Sequence, residues 1–121
     1  MVLREYMACL DSGDSEKTLD WVEPDFRFLI ALPGREVTGR SRADFAAYIA
    51  GRAAVARVHH IMRAATDRDL ETVYGVVTEA GRPVGAFHSA AVVSAAGRMA
   101  RYQAFFSTSF DLYDEFAGEI S

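Results

Sequence analysis

A chain of 121 residues, half of them apolar and 25% charged, fits one domain whose single core needs no disulfide or metal staple. Its formal charge of −4 is built from 17 acidic and 13 basic residues, the latter scattered and all Arg except Lys17. That balance leaves no basic stripe for a phosphate backbone and excludes nucleic acid as the expected partner.

The first residues, Met1 to Tyr6, carry Arg4 and Glu5 and lack the apolar core of a signal peptide. Leu3, Tyr6, Met7 and Leu10 recur at three- and four-residue steps, which predicts a first helix with one apolar face. Cys9 lies among these positions as a small hydrophobe. As the sole cysteine it rules out an internal disulfide and points to a reducing, cytoplasmic setting. Asp11-Ser12-Gly13-Asp14-Ser15 breaks the helix, with Gly13 suited to the residue after its end and Asp14 or Ser15 to the next cap. A short second helix then shows Leu19 and Val22 on its apolar side, and Pro24 stops it.

Phe26 to Leu32 predicts a strand ended by the turn pair Pro33-Gly34, and Glu36-Val37-Thr38 a brief returning strand. Ser41-Arg42-Ala43-Asp44 resembles a capping box with Asp for Glu, and it opens a third helix whose inner stripe is Phe45, Tyr48 and Ile49. From there the rhythm changes. Val55–Ala65, Leu70–Glu79, Pro83–Ser94 and Met99–Ser109 read as four long strands joined by hairpin-length connections rich in turn formers. Short links force antiparallel neighbours, so this half is a meander. Gly75 and Gly85, inside the second and third of these strands, are natural places for a bulge or bend.

The expectation is an α+β fold: a curved antiparallel sheet, made of the four-strand meander plus a short N-terminal strand pair, with three helices on its concave face. The whole of 1–121 forms one cone-shaped domain, and the acidic tail Asp111–Ser121 either frays or docks as a short turn. Apolar positions on the outer face of the sheet point to a homodimer through it. No run approaches the roughly 20 apolar residues of a membrane span. The three His and one Cys lack metal-ligand spacing, and no Gly-rich phosphate loop is present, so neither metal nor nucleotide cofactor is expected.

In element order and length, from Leu3 to Phe110, the chain resembles the nuclear transport factor two-like superfamily, and within it the SnoaL-like branch related to ketosteroid isomerase and scytalone dehydratase. The resemblance is carried by Tyr6…Leu10-Asp11-Ser12-Gly13-Asp14, Pro24-Asp25-Phe26, Gly39-Arg40-Ser41 and Phe105-Phe106. It implies a cone that holds a small apolar or aromatic ligand, often in a dimer. Set against ketosteroid isomerase, Tyr6 falls at the tyrosine that donates to a developing oxyanion and Ser89 near the second donor, while Ile30 stands where the carboxylate base would be. Set against scytalone dehydratase, Asp11 and His59 match an Asp–His pair that orders a catalytic imidazole, and Ser89 matches a pocket serine. Leu10, Ile30 and Ala91 replace its two tyrosines and its asparagine, and its second histidine has no counterpart.

Adjacent residues of a strand point to opposite faces, so only one of His59 and His60 can face the cone. The resemblance favours His59. Likewise, Ser89 inward places His88 on the outer face with Arg101 and Gln103. The candidate catalytic set is therefore His59, Asp11 and Tyr6. The candidate ligand-binding set is Ser89, Phe28, Phe45, Tyr48, Tyr102 and Phe106, against the plainer reading that these aromatics are core. Two functions remain open: a cofactor-free isomerase, cyclase or dehydratase that moves a proton on a small apolar oxygenated substrate, or a non-catalytic binding or dimerisation module. A roomy cavity with His59 and Asp11 exposed in it would count against the second.

Overall fold

The structure, a computed structural model, describes residues 1–52 and 55–113. Helix α1 (Val2–Asp11) leads into a 3₁₀ helix (Ser15–Trp21), strands β1 (Val22–Leu32) and β2 (Arg35–Gly39), and helix α2 (Arg42–Ala50). Strands β3 (Arg57–Asp67), β4 (Leu70–Glu79), β5 (Arg82–Val93) and β6 (Met99–Ser107) follow. The expected tail reaches past 113, outside the described residues. Its start is docked on the sheet: the Leu112 N–H donates to the Tyr74 hydroxyl, and Tyr113 packs on Tyr74 and under Arg63.

All six strands form one sheet in the order β2-β1-β6-β5-β4-β3. The meander β3 to β6 is antiparallel throughout, as the short connections require. The expectation of an entirely antiparallel sheet is corrected by β1, which runs parallel to β6 and makes the sheet mixed. Hairpin length fixes the direction only of consecutive strands, and β1 and β6 are far apart in the chain. The sheet is open rather than closed, with β2 and β3 at its edges.

Pro24 does not follow a helix; it lies inside β1, which starts at Val22 rather than Phe26. The 3₁₀ helix has already ended at Trp21. The residue before a proline is biased toward extended backbone. The β1–β6 register is interrupted between Val22 and Arg27, so the missing N–H of Pro24 falls where no ladder partner is assigned. The Arg42 guanidinium donates to the Val22 carbonyl at 2.6 Å, which ties the start of α2 to the start of β1.

The capping expectation for α2 is met with a variation. Ser41 Oγ accepts the Asp44 N–H at 3.0 Å, while Asp44 Oδ2 reaches back to the Arg40 N–H at 2.8 Å rather than to the cap residue itself.

Curvature comes from bulges. The β3–β4 register slips at Met62, opposite Gly75, and the β4–β5 register slips at Val84, beside Gly85. A side chain at Gly75 would run into the His60 carbonyl, so the bent strand needs glycine there. The concave face collects Phe26, Phe28, Ile30, Val73, Val77, Phe87, Ala91 and Tyr102, and α1 and α2 cover it with Leu3, Tyr6, Met7, Phe45 and Ile49. Phe26, Phe28 and Phe45 make a compact aromatic cluster, with ring centroids 5.1 to 5.5 Å apart.

Candidate functional site

The core does not fill the whole concavity. A cavity of about 610 Å³ remains between α1, α2 and the sheet, within the range of small-molecule sites. The strands contribute Ile30 from β1, His59 from β3, Val77 from β4, Phe87 and Ser89 from β5, and Tyr102 and Phe106 from β6. Tyr6 and Leu10 reach it from α1, and Tyr48 from α2.

His59 and His60 part as adjacent strand residues must. His59 lines the cavity; His60 is exposed, its Nε2 2.9 Å from Thr78 Oγ1. Asp11, the last residue of α1, holds His59 with both oxygens. Oδ2 accepts the His59 backbone N–H at 2.7 Å, and Oδ1 lies 2.6 Å from Nδ1 of the ring. The two side chains are 15% and 12% exposed, which keeps water from competing for the contact. The ring stands edge-on to Phe87, with centroids 5.0 Å apart at 82°. Asp11 fixes Nδ1 and Phe87 fixes the plane, so the imidazole has one orientation. No described residue hydrogen-bonds to Nε2. Asp11 itself does not line this cavity; it opens into a neighbouring depression beside Leu19 and Ile49.

A second polar group lies deeper. Ser89 Oγ and the Tyr102 hydroxyl are 3.2 Å apart, and the Tyr6 and Tyr102 rings meet edge-on with centroids 5.3 Å apart. Three hydroxyls from α1, β5 and β6 thus converge among apolar side chains. Burial pushes the Tyr6 hydroxyl well above the usual phenol range, and the adjacent Tyr102 adds to the shift. Burial likewise raises Tyr102 to about 12, with the hydrogen bonds of Ser89 and Tyr6 pulling part of the way back. Both phenols therefore stay protonated at neutral pH and keep an O–H to donate.

Of the residues singled out from sequence, His59, Tyr6, Ser89, Tyr48, Tyr102 and Phe106 share the cavity. Phe28 and Phe45 do not line it; they pack in the aromatic cluster beside it, 5% and 0% exposed. His88 is exposed, as are Arg101 and Gln103, and it stacks on its strand partner Phe105 at 4.9 Å. Two features escaped the sequence reading. One is the Tyr102 hydroxyl, read only as apolar lining. The other is a set of charged lining residues, Arg35, Asp44, Arg52, Arg57 and Glu79. Arg57 and Glu79 face each other across β3 and β4 in register and pair at 3.0 Å. Strand register would have revealed that pair in advance; Arg52 left no comparable signal.

No family model and no curated protein sequence matches the chain. Its structure has many relatives. A proposed ketosteroid isomerase from Kribbella flavida superposes with a TM-score of 0.71 at 18% identity, over 93% of this chain and 79% of the other. A proposed isomerase of the SnoaL-like family from Agrobacterium tumefaciens also gives 0.71, at 14% identity over 88% and 94%. A proposed polyketide cyclase from Sinorhizobium meliloti gives 0.65, at 18% identity over 85% and 92%. The chain has the nuclear transport factor two-like fold, in the form shared with SnoaL-like and ketosteroid isomerase-like proteins. Among the described residues no helix is long and apolar enough to cross a membrane.

Proposed function

We propose that the chain is a cofactor-independent enzyme that moves a proton on a small, mostly apolar, oxygenated substrate, in an isomerisation, cyclisation or dehydration. One observation carries this reading: the His59 imidazole borders the cavity with Nδ1 engaged by Asp11 at 2.6 Å and Nε2 left without a described partner. An imidazole so placed can accept a proton at Nε2 and return it elsewhere on the substrate, while the carboxylate selects the tautomer and stabilises the charged ring. The Tyr6, Tyr102 and Ser89 hydroxyls provide the complementary half. They donate toward an oxygen on which negative charge builds, in a pocket where burial strengthens each hydrogen bond.

Ile30 lines the same cavity at the position where the resemblance to ketosteroid isomerase implies a carboxylate base. In this chain the base is assigned to His59 on another strand instead. The reading includes a single domain acting in the cytoplasm as a homodimer through the outer sheet face. Exposed Val58 and Leu70 on that sheet, together with the lone cysteine, support it.

Deuterium exchange tests the chemistry without knowledge of the natural substrate. The protein is incubated in D2O with cyclic enones, aryl ketones and 1,3-diketones, and loss of the α-proton signal is followed by NMR. Exchange above the uncatalysed rate is expected for at least one class, falling about 100-fold or more in His59→Ala, as for loss of a general base. Equal exchange in that variant would remove His59 from the mechanism, and no exchange with any class would leave a binding protein.

A further inference from the structure

The charged residues of the cavity do not balance. Of the five that line it, the two carboxylates are already occupied. Asp44 Oδ2 accepts the Arg40 N–H at 2.8 Å, and Glu79 Oε1 takes both Nε and Nη2 of Arg57 at 3.2 and 3.0 Å. Arg35, at the start of β2, and Arg52, just past the end of α2, remain. No carboxylate among the described residues pairs with either guanidinium.

Arg52 is also half-buried, and its positive charge favours the ionised forms of both Tyr6 and Tyr102 deep in the cavity. Its field therefore falls on the interior of the cavity. The rest of the wall is apolar, with Leu10, Ile30, Leu32, Val37, Val77 and Phe106. The five side chains carry a net charge of +1, and Arg35 and Arg52 have no ion-pair partner among the described residues, so the arrangement favours an anion placed against them over such a wall.

We propose that the ligand is an organic anion, an apolar body bearing a carboxylate that Arg35 and Arg52 hold while the body extends toward His59 and the three hydroxyls. The planar guanidinium fork matches the two oxygens of a carboxylate and can bind them through parallel N–H donors. This placement fixes one end of the substrate and so determines which carbon comes under Nε2. It rests on the reading of this cavity as the ligand site, but not on the proton transfer assigned to His59.

The test is a matched pair. Binding of anthracene-2-carboxylate and of its methyl ester to the full chain is measured by calorimetry at pH 7, and 2-naphthylacetate with its methyl ester gives a second pair. The acids are expected to bind at least tenfold more tightly than the esters, a difference of about 1.4 kcal/mol. In an Arg35→Gln/Arg52→Gln double variant the acid-over-ester preference should vanish. Added salt should shrink the preference in the wild-type chain.

Equal affinity for acid and ester, a preference that survives in the double variant, or failure of both acids to bind would overturn the proposal. If the double variant does not fold, Arg35→Gln alone decides the matter, since Arg35 is exposed, and it should lower the preference by several-fold. The catalytic reading fails separately. A chain that keeps the acid preference, in His59→Gln as well, yet exchanges no α-proton loses the enzyme and keeps the anion site. One that exchanges protons of neutral ketones but ignores the carboxylate does the reverse.

Discussion

Helix α1 is secured at both ends by a carboxylate, and the two ends differ in what the helix field does to the charge. At the N-terminus Glu71 of β4, 8% exposed, accepts the Val2 and Leu3 N–H groups at 3.2 and 2.9 Å. Those donors have no partner within the helix, and the positive end of the macrodipole favours the anion. At the C-terminus Asp11 sits where the dipole disfavours it, and the last turn carries no basic side chain to compensate. Its compensation is His59 on another strand. A charge set with the field needs no explanation beyond folding. A charge set against it is better explained by what it holds, here an imidazole at the edge of a cavity.

That contrast can be broken by substitution. Asp11→Asn keeps a hydrogen-bonding side chain but removes the charge that favours one tautomer and the imidazolium. Under the proposed mechanism proton exchange should drop by about 100-fold, roughly 2.7 kcal/mol of barrier, with a much smaller change in urea midpoint. A loss of stability with unchanged exchange would make Asp11 a purely structural clamp. Glu71→Ala should show the opposite profile: a lower urea midpoint, worth about 2 kcal/mol for two N–H groups left unsatisfied, with little effect on turnover per folded molecule.

A smaller effect concerns the buried phenols. In the unfolded chain they ionise near pH 10, whereas in the folded chain Tyr102 waits until about 12 and Tyr6 is shifted in the same direction. Folded-state pKa values raised in this way leave their stabilising contribution intact below pH 10. It is then lost as pH climbs through the window toward 12. Thermal melts should fall across that window, and Tyr102→Phe should flatten the decline; an unchanged profile would mean the hydroxyl is not shielded.

The least effect is expected at the β4–β5 hairpin. Ala80 and Gly81 both have positive φ, 51° and 78°, the two-residue turn that suits Asn-Gly. Ala80→Asn should stabilise by about 0.5–1 kcal/mol, read as a higher melting temperature with unaltered exchange.

What the sequence disclosed follows the range of the forces involved. The meander was legible because hairpin connections and period-two alternation are local, and its residues fall close to the observed strands. The parallel seam between β1 and β6 was not, since nothing near either strand specifies the other. The extended path through Pro24 was hidden for a related reason: proline reads as a stop unless the irregular register around it is known. At the site, the Asp11–His59 pair is separated by 48 residues, and family resemblance rather than spacing brought it forward. The pairing of Ser89 with Tyr102 depends on which faces of β5 and β6 meet, and the placement of Arg52 depends on how α2 lies over the sheet. Glu71 is of the same kind: its place under the start of α1 depends on residues 69 and 68 positions away in the chain.

The seam between β1 and β6 also bears on how the chain reaches its native state. Because β1 lies between β2 and β6, its inner edge has no neighbour until the last described strand arrives, and the hydroxyl group of three cannot assemble before then. During synthesis the early segments emerge as a hairpin with a bare edge, the kind of intermediate that chaperones shelter and that aggregation exploits. Native contacts this distant in sequence also slow the search, so formation of the cavity should rank among the latest events of folding.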